Sequence, residues 1–200
     1  MIGIVDYGAG NLHSVRKAFA YLGKDCLILQ DPRDLAGIQR VVLPGVGSFG
    51  HAMTEIQNRN WFAPLKDWLA EDRPFLGICL GMQLLFESSE ESPGFSGFSL
   101  MAGTCRKFAA KKVPQIGWND IRIKKESPLF YGLETGGYFY FVNSFYVVPE
   151  DEEAPCAETF YGSLYTSVVG HGRRVFGVQF HPEKSGDLGL KLLQNWVERC

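Results

Sequence analysis

A strand that passes into a helix through Gly77-Ile-Cys79-Leu-Gly81 constrains this 200-residue chain more than any other feature. The apolar run Pro74-Phe-Leu-Gly-Ile78 before the cysteine reads as a buried strand, and Met82 to Phe86 after it reads as an apolar helix. Glycines on both sides permit a sharp turn, because a Cβ at either place would crowd the neighbouring strand and helix. Such a turn lifts the Cys79 sulfur out of a sheet and sets it at a helix N-terminus. There, orphan backbone N–H groups favour a thiolate and can hold an oxyanion. A buried structural cysteine needs none of this, so Cys79 is the candidate nucleophile.

A nucleophilic cysteine needs a base, and the base needs a group to orient it. Of the four histidines, His13 falls inside a predicted helix, His51 follows a glycine loop and His171 sits in the polar turn Gly170-His-Gly-Arg173. Only His181 follows a strand-like apolar run, Val175-Phe-Gly-Val-Gln-Phe180, and it opens the turn His181-Pro182-Glu183. Pro182 fixes φ and stiffens that turn, which holds the Glu183 carboxylate within reach of the imidazole. A solvated His and Glu ending a strand is the usual meaning of such a triplet. An elbow cysteine upstream reverses that preference, and Cys79, His181 and Glu183 form the expected triad.

The order of elements suits this placement. Ile2 to Asp6 reads as a strand, followed by a helix that Asn11 can cap, whose apolar positions Leu12, Val15, Phe19 and Leu22 share one face and which Gly23 ends. Strands are expected at Cys26 to Leu29 and Val41 to Leu43, and a helix at Trp61 to Glu71 with Phe62, Leu65, Trp68 and Leu69 inward. Such βαβα alternation implies a parallel sheet covered on both faces, with sites at the carboxyl ends of its strands. After about residue 98 the pattern becomes strands joined by turns, including the aromatic run Tyr138 to Val148. Gly186 to Arg199 reads as a closing helix, and Ser88 to Ser99 as a surface loop.

The segments Gly77-Ile-Cys-Leu-Gly-Met-Gln83 and Gln179-Phe-His-Pro-Glu-Lys-Ser-Gly186 together resemble the class I (triad) glutamine amidotransferases. Within that class the chain resembles the glutaminase subunits of imidazole glycerol phosphate synthase. The narrower likeness rests on Asp6-Tyr-Gly-Ala-Gly-Asn11, Leu43-Pro-Gly-Val-Gly47, Pro114-Gln-Ile-Gly-Trp-Asn119, Tyr138-Phe-Tyr-Phe-Val142 and Glu183-Lys-Ser-Gly186, and so spans essentially the whole chain. The resemblance implies one amidotransferase domain over residues 1–200, with a flavodoxin-like, three-layer α/β/α fold. Its central sheet would be mostly parallel, with added antiparallel strands in the C-terminal half.

The resemblance also implies roles for single residues. Val46 and Gly47 would lie on an oxyanion strand whose amide joins that of Leu80. Gly47, Gln83, Ser144 and Phe145 would surround a bound L-glutamine, with Glu91 at its amino group. Asn11, Gln115, Trp118, Asn119 and Lys184 would face the partner, a (β/α)₈-barrel cyclase subunit, in a heterodimer. Taken without the family, Gln83 would read as a solvated helix residue, Phe145 and Trp118 as core aromatics, and Lys184 as a solvated charge. Gln115 and Asn143 stand where many members carry histidine; amides keep the hydrogen bonding but cannot titrate near neutral pH.

Composition narrows the alternatives. A net charge of −2 gives no reason to expect nucleic acid or an anionic membrane as partner. No apolar run approaches the roughly 18 residues of a membrane span, and Met1 to Val5 lacks the basic start of a signal peptide. Five cysteines without metal-ligand spacing suit a reducing cytoplasm and leave no metal or other cofactor expected. Gly8-Ala-Gly10 lacks the third glycine of a dinucleotide fingerprint, since His13 stands in its place. Three further readings remain open at this level: a paralogous amidotransferase subunit serving another synthase, an independent cysteine hydrolase, and a flavodoxin-like module that carries a flavin.

Overall fold

The computed structural model describes residues 1–133 and 135–200. Its first half is a parallel sheet built from β1 (Ile2–Val5), β2 (Cys26–Leu29), β3 (Arg40–Gly45) and β4 (Phe75–Cys79), joined through α1 (Leu12–Tyr21), α2 (Phe49–Asn58) and α3 (Phe62–Ala70). The elbow leads to α4 (Leu80–Gln83) and β5 (Phe86–Ser89). The second half is mainly strands: β6 (Met101–Lys107), β7 (Gln115–Ile123), β8 (Gly137–Asn143), β9 (Phe145–Pro149), β10 (Pro155–Tyr161), β11 (Ser163–His171) and β12 (Val175–Val178), before α5 (Gly186–Arg199). The strand order is β2-β1-β3-β4-β12-β11-β10-β7-β8, and β5, β6 and β9 branch from β11. The first five strands in this order pair in parallel; from β12 to β11 onward the main path is antiparallel.

Alternation along the parallel strands separates two cores. Ile2, Ile4, Val42, Leu76, Ile78 and Val178 face α1 and α5, meeting Val15, Phe19, Leu192 and Trp196. Val5, Val41, Leu43, Phe75 and Val175 face the opposite layer, meeting Phe49, Met53 and Ile56 of α2 with Leu65, Trp68 and Leu69 of α3. Side chains that point to alternate faces of a strand produce this division, which makes the fold a three-layer α/β/α arrangement. Each fully buried large apolar side chain contributes roughly 1.5–3 kcal/mol, so both helical layers are held firmly against the sheet.

Several sequence expectations need correction. The helix after the elbow is one turn, Leu80–Gln83, and Phe86 already belongs to β5. Everything from Leu80 to Phe86 is buried, so no polar face exists to mark a helical period. The carbonyls of Leu84 and Leu85 instead accept from the backbone N–H groups of Phe98, Leu100 and Met101, which draws the chain out of helix. Ser88 to Ser99 is accordingly not all loop: Ser88 and Ser89 pair with β6, and Phe98 is buried. Asn11 occupies the N-cap position of α1 but makes no side-chain cap, because its backbone (φ −88°, ψ 61°) lies outside the extended geometry a cap uses. Helix α2 has no counterpart among the sequence expectations. Among the described residues no helix is long and apolar enough to cross a membrane.

Candidate active site

Cys79 is the last residue of β4, in register with Gly45 of β3, while Ile78 pairs with Val178 of β12. The thiol therefore stands at the carboxyl end of the sheet, between the segments that continue from β3 and β12. Its backbone adopts φ +56°, ψ −109°, a region that a residue with a side chain occupies only under strain. The flanking glycines are needed for close approach. A Cβ on Gly77 would lie 2.5 Å from the Gly81 carbonyl oxygen, and one on Gly45 would lie 2.8 Å from the Leu80 Cβ.

Of the four histidines only His181 is buried. It shares a cavity wall with Cys79, whose thiol donates to the Val142 carbonyl at 3.7 Å, and its Nδ1 lies 2.8 Å from Glu183 Oε1. Glu183 Oε2 is buried without a partner among the described residues, so the carboxylate is directed at the imidazole alone. Burial pulls the imidazolium toward neutrality. The hydrogen bonds and negative charge of Cys79 and Glu183 outweigh that effect and raise the pKa to about 10. The turn is anchored to β8: His181 N–H donates to the Tyr140 carbonyl at 2.9 Å, Tyr140 N–H to Ser185 Oγ at 3.0 Å, and Ser185 Oγ to the His181 carbonyl at 2.6 Å.

A cavity of about 280 Å³ opens beside the sulfur. It brings together Cys79, His181, Val46, Gly47, Leu80, Gln83, Glu91, Ser144 and Phe145, the residues singled out for catalysis and substrate except Glu183, which lies behind the imidazole. Gly47 has φ +94° with open space around it, so its glycine serves backbone conformation, and Val46 is 44% exposed at the cavity. Gln83 is buried and donates both ways, to the Phe145 carbonyl and to Gln179 Oε1, each at 3.1 Å, which leaves its own oxygen for a ligand. Glu91 lines the cavity with Oε2 already accepting from Phe49 N–H at 2.8 Å, and so caps α2 from 42 residues away.

The residues expected to face a partner divide. Trp118 is 56% exposed on β7, edge-on to Tyr140, with Ile116, Tyr138 and Val142 exposed around it. Lys184 is exposed and lines the cavity; Asn11 is half-buried; Asn119 is half-buried and donates to the Phe160 carbonyl. Gln115 departs from expectation. It is buried and its Oε1 accepts from the Tyr165 hydroxyl at 2.9 Å, because residues 115 and 117 point opposite to the exposed 116 and 118. Asn143, its cross-strand neighbour, lines the cavity and donates to the Phe145 carbonyl. Gln179 was singled out by no sequence signal beyond its place before His181, yet it is fully buried and its Nε2 lies 3.6 Å from Cys79 Sγ. Among the described residues no cluster of three or more His, Cys, Asp or Glu could hold a metal ion.

The family model for glutamine amidotransferase class-I matches residues 3–200. A curated relative from Methanocaldococcus jannaschii, imidazole glycerol phosphate synthase subunit HisH, is 46% identical over 99% of this chain and 99% of its own length. A relative of the same name from Desulfitobacterium hafniense is 44% identical over 98% of this chain and 95% of its own. The solved structure of PurLQS from Thermotoga maritima superposes with a TM-score of 0.79 at 18% identity, over 98% of this chain and 96% of that one, which shows a shared fold. The chain belongs to the class-I glutamine amidotransferase family, in the branch of imidazole glycerol phosphate synthase subunit HisH.

Proposed function

We propose that this chain is the glutaminase subunit of a cytoplasmic imidazole glycerol phosphate synthase and works as a single amidotransferase domain. It releases ammonia from L-glutamine for a (β/α)₈-barrel cyclase subunit. With that ammonia the cyclase makes imidazole glycerol phosphate and aminoimidazole carboxamide ribotide in histidine biosynthesis. The observation that carries the reading is the Cys79–His181–Glu183 relay set against a cavity that also holds Gln83, Ser144 and Phe145.

The chemistry follows from the geometry. Cys79 Sγ, its proton passed to His181, attacks the side-chain carbonyl carbon of glutamine. The oxyanion is received by backbone amides of Leu80 and of the Val46–Gly47 segment. His181 returns the proton to the departing nitrogen as the C–N bond breaks, which frees ammonia and leaves a thioester. Water, deprotonated by His181, attacks that thioester; the C–S bond breaks and glutamate leaves. Glu183 holds the imidazole and offsets its positive charge throughout.

Ammonia in neutral water is mostly protonated, and ammonium is no nucleophile, so the activity makes sense beside a synthase that receives ammonia through a dry passage. Trp118, Ile116 and Tyr138 supply an apolar docking face, and Lys184 stands exposed at the mouth of the cavity. The test is glutamate release from glutamine by the chain alone, then with the matching cyclase subunit and its nucleotide ligand. Slow release alone and a large rise in the complex are expected. Full activity unaffected by the cyclase would point to an independent hydrolase, and no release in either state would overturn the reading.

A further inference from the structure

We propose that Gln179 is a positioning residue of the catalytic centre, one that holds the Cys79 sulfur through its side-chain amide and ties it to the substrate cavity through Gln83. The orientation of both amides is fixed by their partners. The Phe145 carbonyl can only accept, so Gln83 presents its NH₂ group there, and the same NH₂ group meets Gln179. Gln179 must then present Oε1 to Gln83, which leaves Nε2 for the sulfur, 3.6 Å away. A buried amide with both ends engaged does not rotate freely.

This placement has a consequence for charge. The N–H of Gln179 favours a negatively charged sulfur over a neutral thiol. Other groups at the sulfur are the Val142 carbonyl, which accepts from the thiol at 3.7 Å, His181, backed by Glu183, and the buried hydroxyls of Tyr7 from the segment after β1 and Tyr165 from β11; Glu91 and Lys184 line the cavity. His181 supplies the proton chemistry, whereas Gln179 supplies a donor that cannot titrate near neutral pH and so stays on the sulfur through every step. Gln83, at the other end, borders the cavity. Fixing Gln83 therefore shapes the ligand site, and the same bond fixes Gln179 against the nucleophile. The link from substrate to sulfur rests on the glutaminase reading above; the hold on the sulfur does not.

Two variants separate the halves. Gln179→Glu keeps the shape and an oxygen for Gln83 but removes the donor to sulfur; Gln179→Met removes both. The full-length chain is treated with iodoacetamide across a pH series, and far-UV circular dichroism checks the fold. Alkylation of Cys79 in both variants is expected to be slower at neutral pH by about tenfold, the scale of one hydrogen bond to a charged group, with the gap closing as rising pH ionises the thiol anyway. In the complex with the cyclase, kcat for glutamine hydrolysis should fall in both variants, and KM should rise in Gln179→Met alone. Should Gln179→Met fail to fold, the near-isosteric Gln179→Glu carries the test. Alkylation at the wild-type rate, or a loss of equal size at every pH, would overturn the proposal. Wild-type protein that is alkylated normally yet releases no glutamate would overturn the glutaminase reading instead.

Discussion

Gly81 lies so close to the carbonyl of Leu43 that a Cβ built on it would sit 1.8 Å from the oxygen. The elbow after β4 and the end of β3 are thus packed backbone against backbone, and Cys79 and the segment Pro44–Gly47 are positioned by one contact. Gly81→Ala must push α4 and β3 apart, because neither side of the overlap is a flexible side chain. Overpacking costs about 1–3 kcal/mol where side chains can adjust, so the upper end or more is expected here, read as a fall in urea-unfolding free energy together with glutaminase activity. Gly47→Ala provides the contrast. Its φ is +94° but nothing lies within 4 Å of the added Cβ. It should lose only about 1–2 kcal/mol, the cost of a left-handed backbone, while hydrolysis falls sharply. Equal stability losses in the two variants would remove the distinction.

Cys79 carries the strain that its glycine neighbours avoid, with φ +56° on a residue that has a Cβ. Cys79→Ala should abolish glutamine hydrolysis and leave the fold and partner binding intact. Cys79→Gly should be equally inactive yet more stable than Cys79→Ala by about 1 kcal/mol, since glycine occupies that region without penalty. Calorimetric melting of the two variants side by side decides it: a Gly variant that melts below the Ala variant would show that the elbow is unstrained.

The elbow, the His-Pro-Glu turn and α5 were legible in the sequence because each is specified by residues adjacent in the chain. Gly186–Arg199 begins and ends where periodicity puts it, and Gly23 (φ +69°) terminates α1 as a left-handed cap. What stayed hidden depends on distant partners. The N-terminus of α2 is capped by Glu91 and Ser92, about forty residues later, while its own N-cap Ser48 makes no side-chain bond. The end of α4 is imposed by strand-like bonds from Phe98 to Met101. Gln115 sits in β7 and Gln179 directly after β12, and their neighbours do not announce a buried amide; only the assembled fold shows one against Tyr165 and the other against Cys79.

The relay should leave a mark on stability as pH rises. The folded pKa of His181 is raised to about 10 from an ordinary value of 6.5. Its contribution is then fully present below about pH 6.5, declines above it, and is lost once pH passes through about 10. Urea unfolding between pH 6 and 10.5 should show a steeper fall for the wild type than for His181→Asn, the difference amounting to a few kcal/mol at most. Parallel curves would mean that the imidazole is no more basic folded than unfolded. In hydrolysis assays, Glu183→Gln should lose less activity than His181→Asn, because it removes the orienting charge and leaves the base. Equal rates for Glu183→Gln and wild type would exclude Glu183 from the relay.

Trp118 packs edge-on against Tyr140 at a centroid distance of 6.1 Å, and the Tyr140 backbone in turn holds His181. Because Trp118 is 56% exposed in a protein that buries Trp61, Trp68 and Trp196 completely or nearly so, its indole does little for the fold. Removing it should therefore cost binding and spare stability. A central interface tryptophan contributes about 2 kcal/mol or more, so Trp118→Ala should raise the dissociation constant for the cyclase subunit at least about thirtyfold, measured by titration calorimetry. Its melting temperature should stay within a few degrees of wild type. Because Tyr140 would lose its neighbour without losing its backbone bonds to His181 and Ser185, the basal glutaminase rate of the isolated chain should remain, and only the stimulation by the partner should fall at limiting cyclase. Unchanged affinity would place the docking face elsewhere, while a large loss of stability would make Trp118 part of the core despite its exposure.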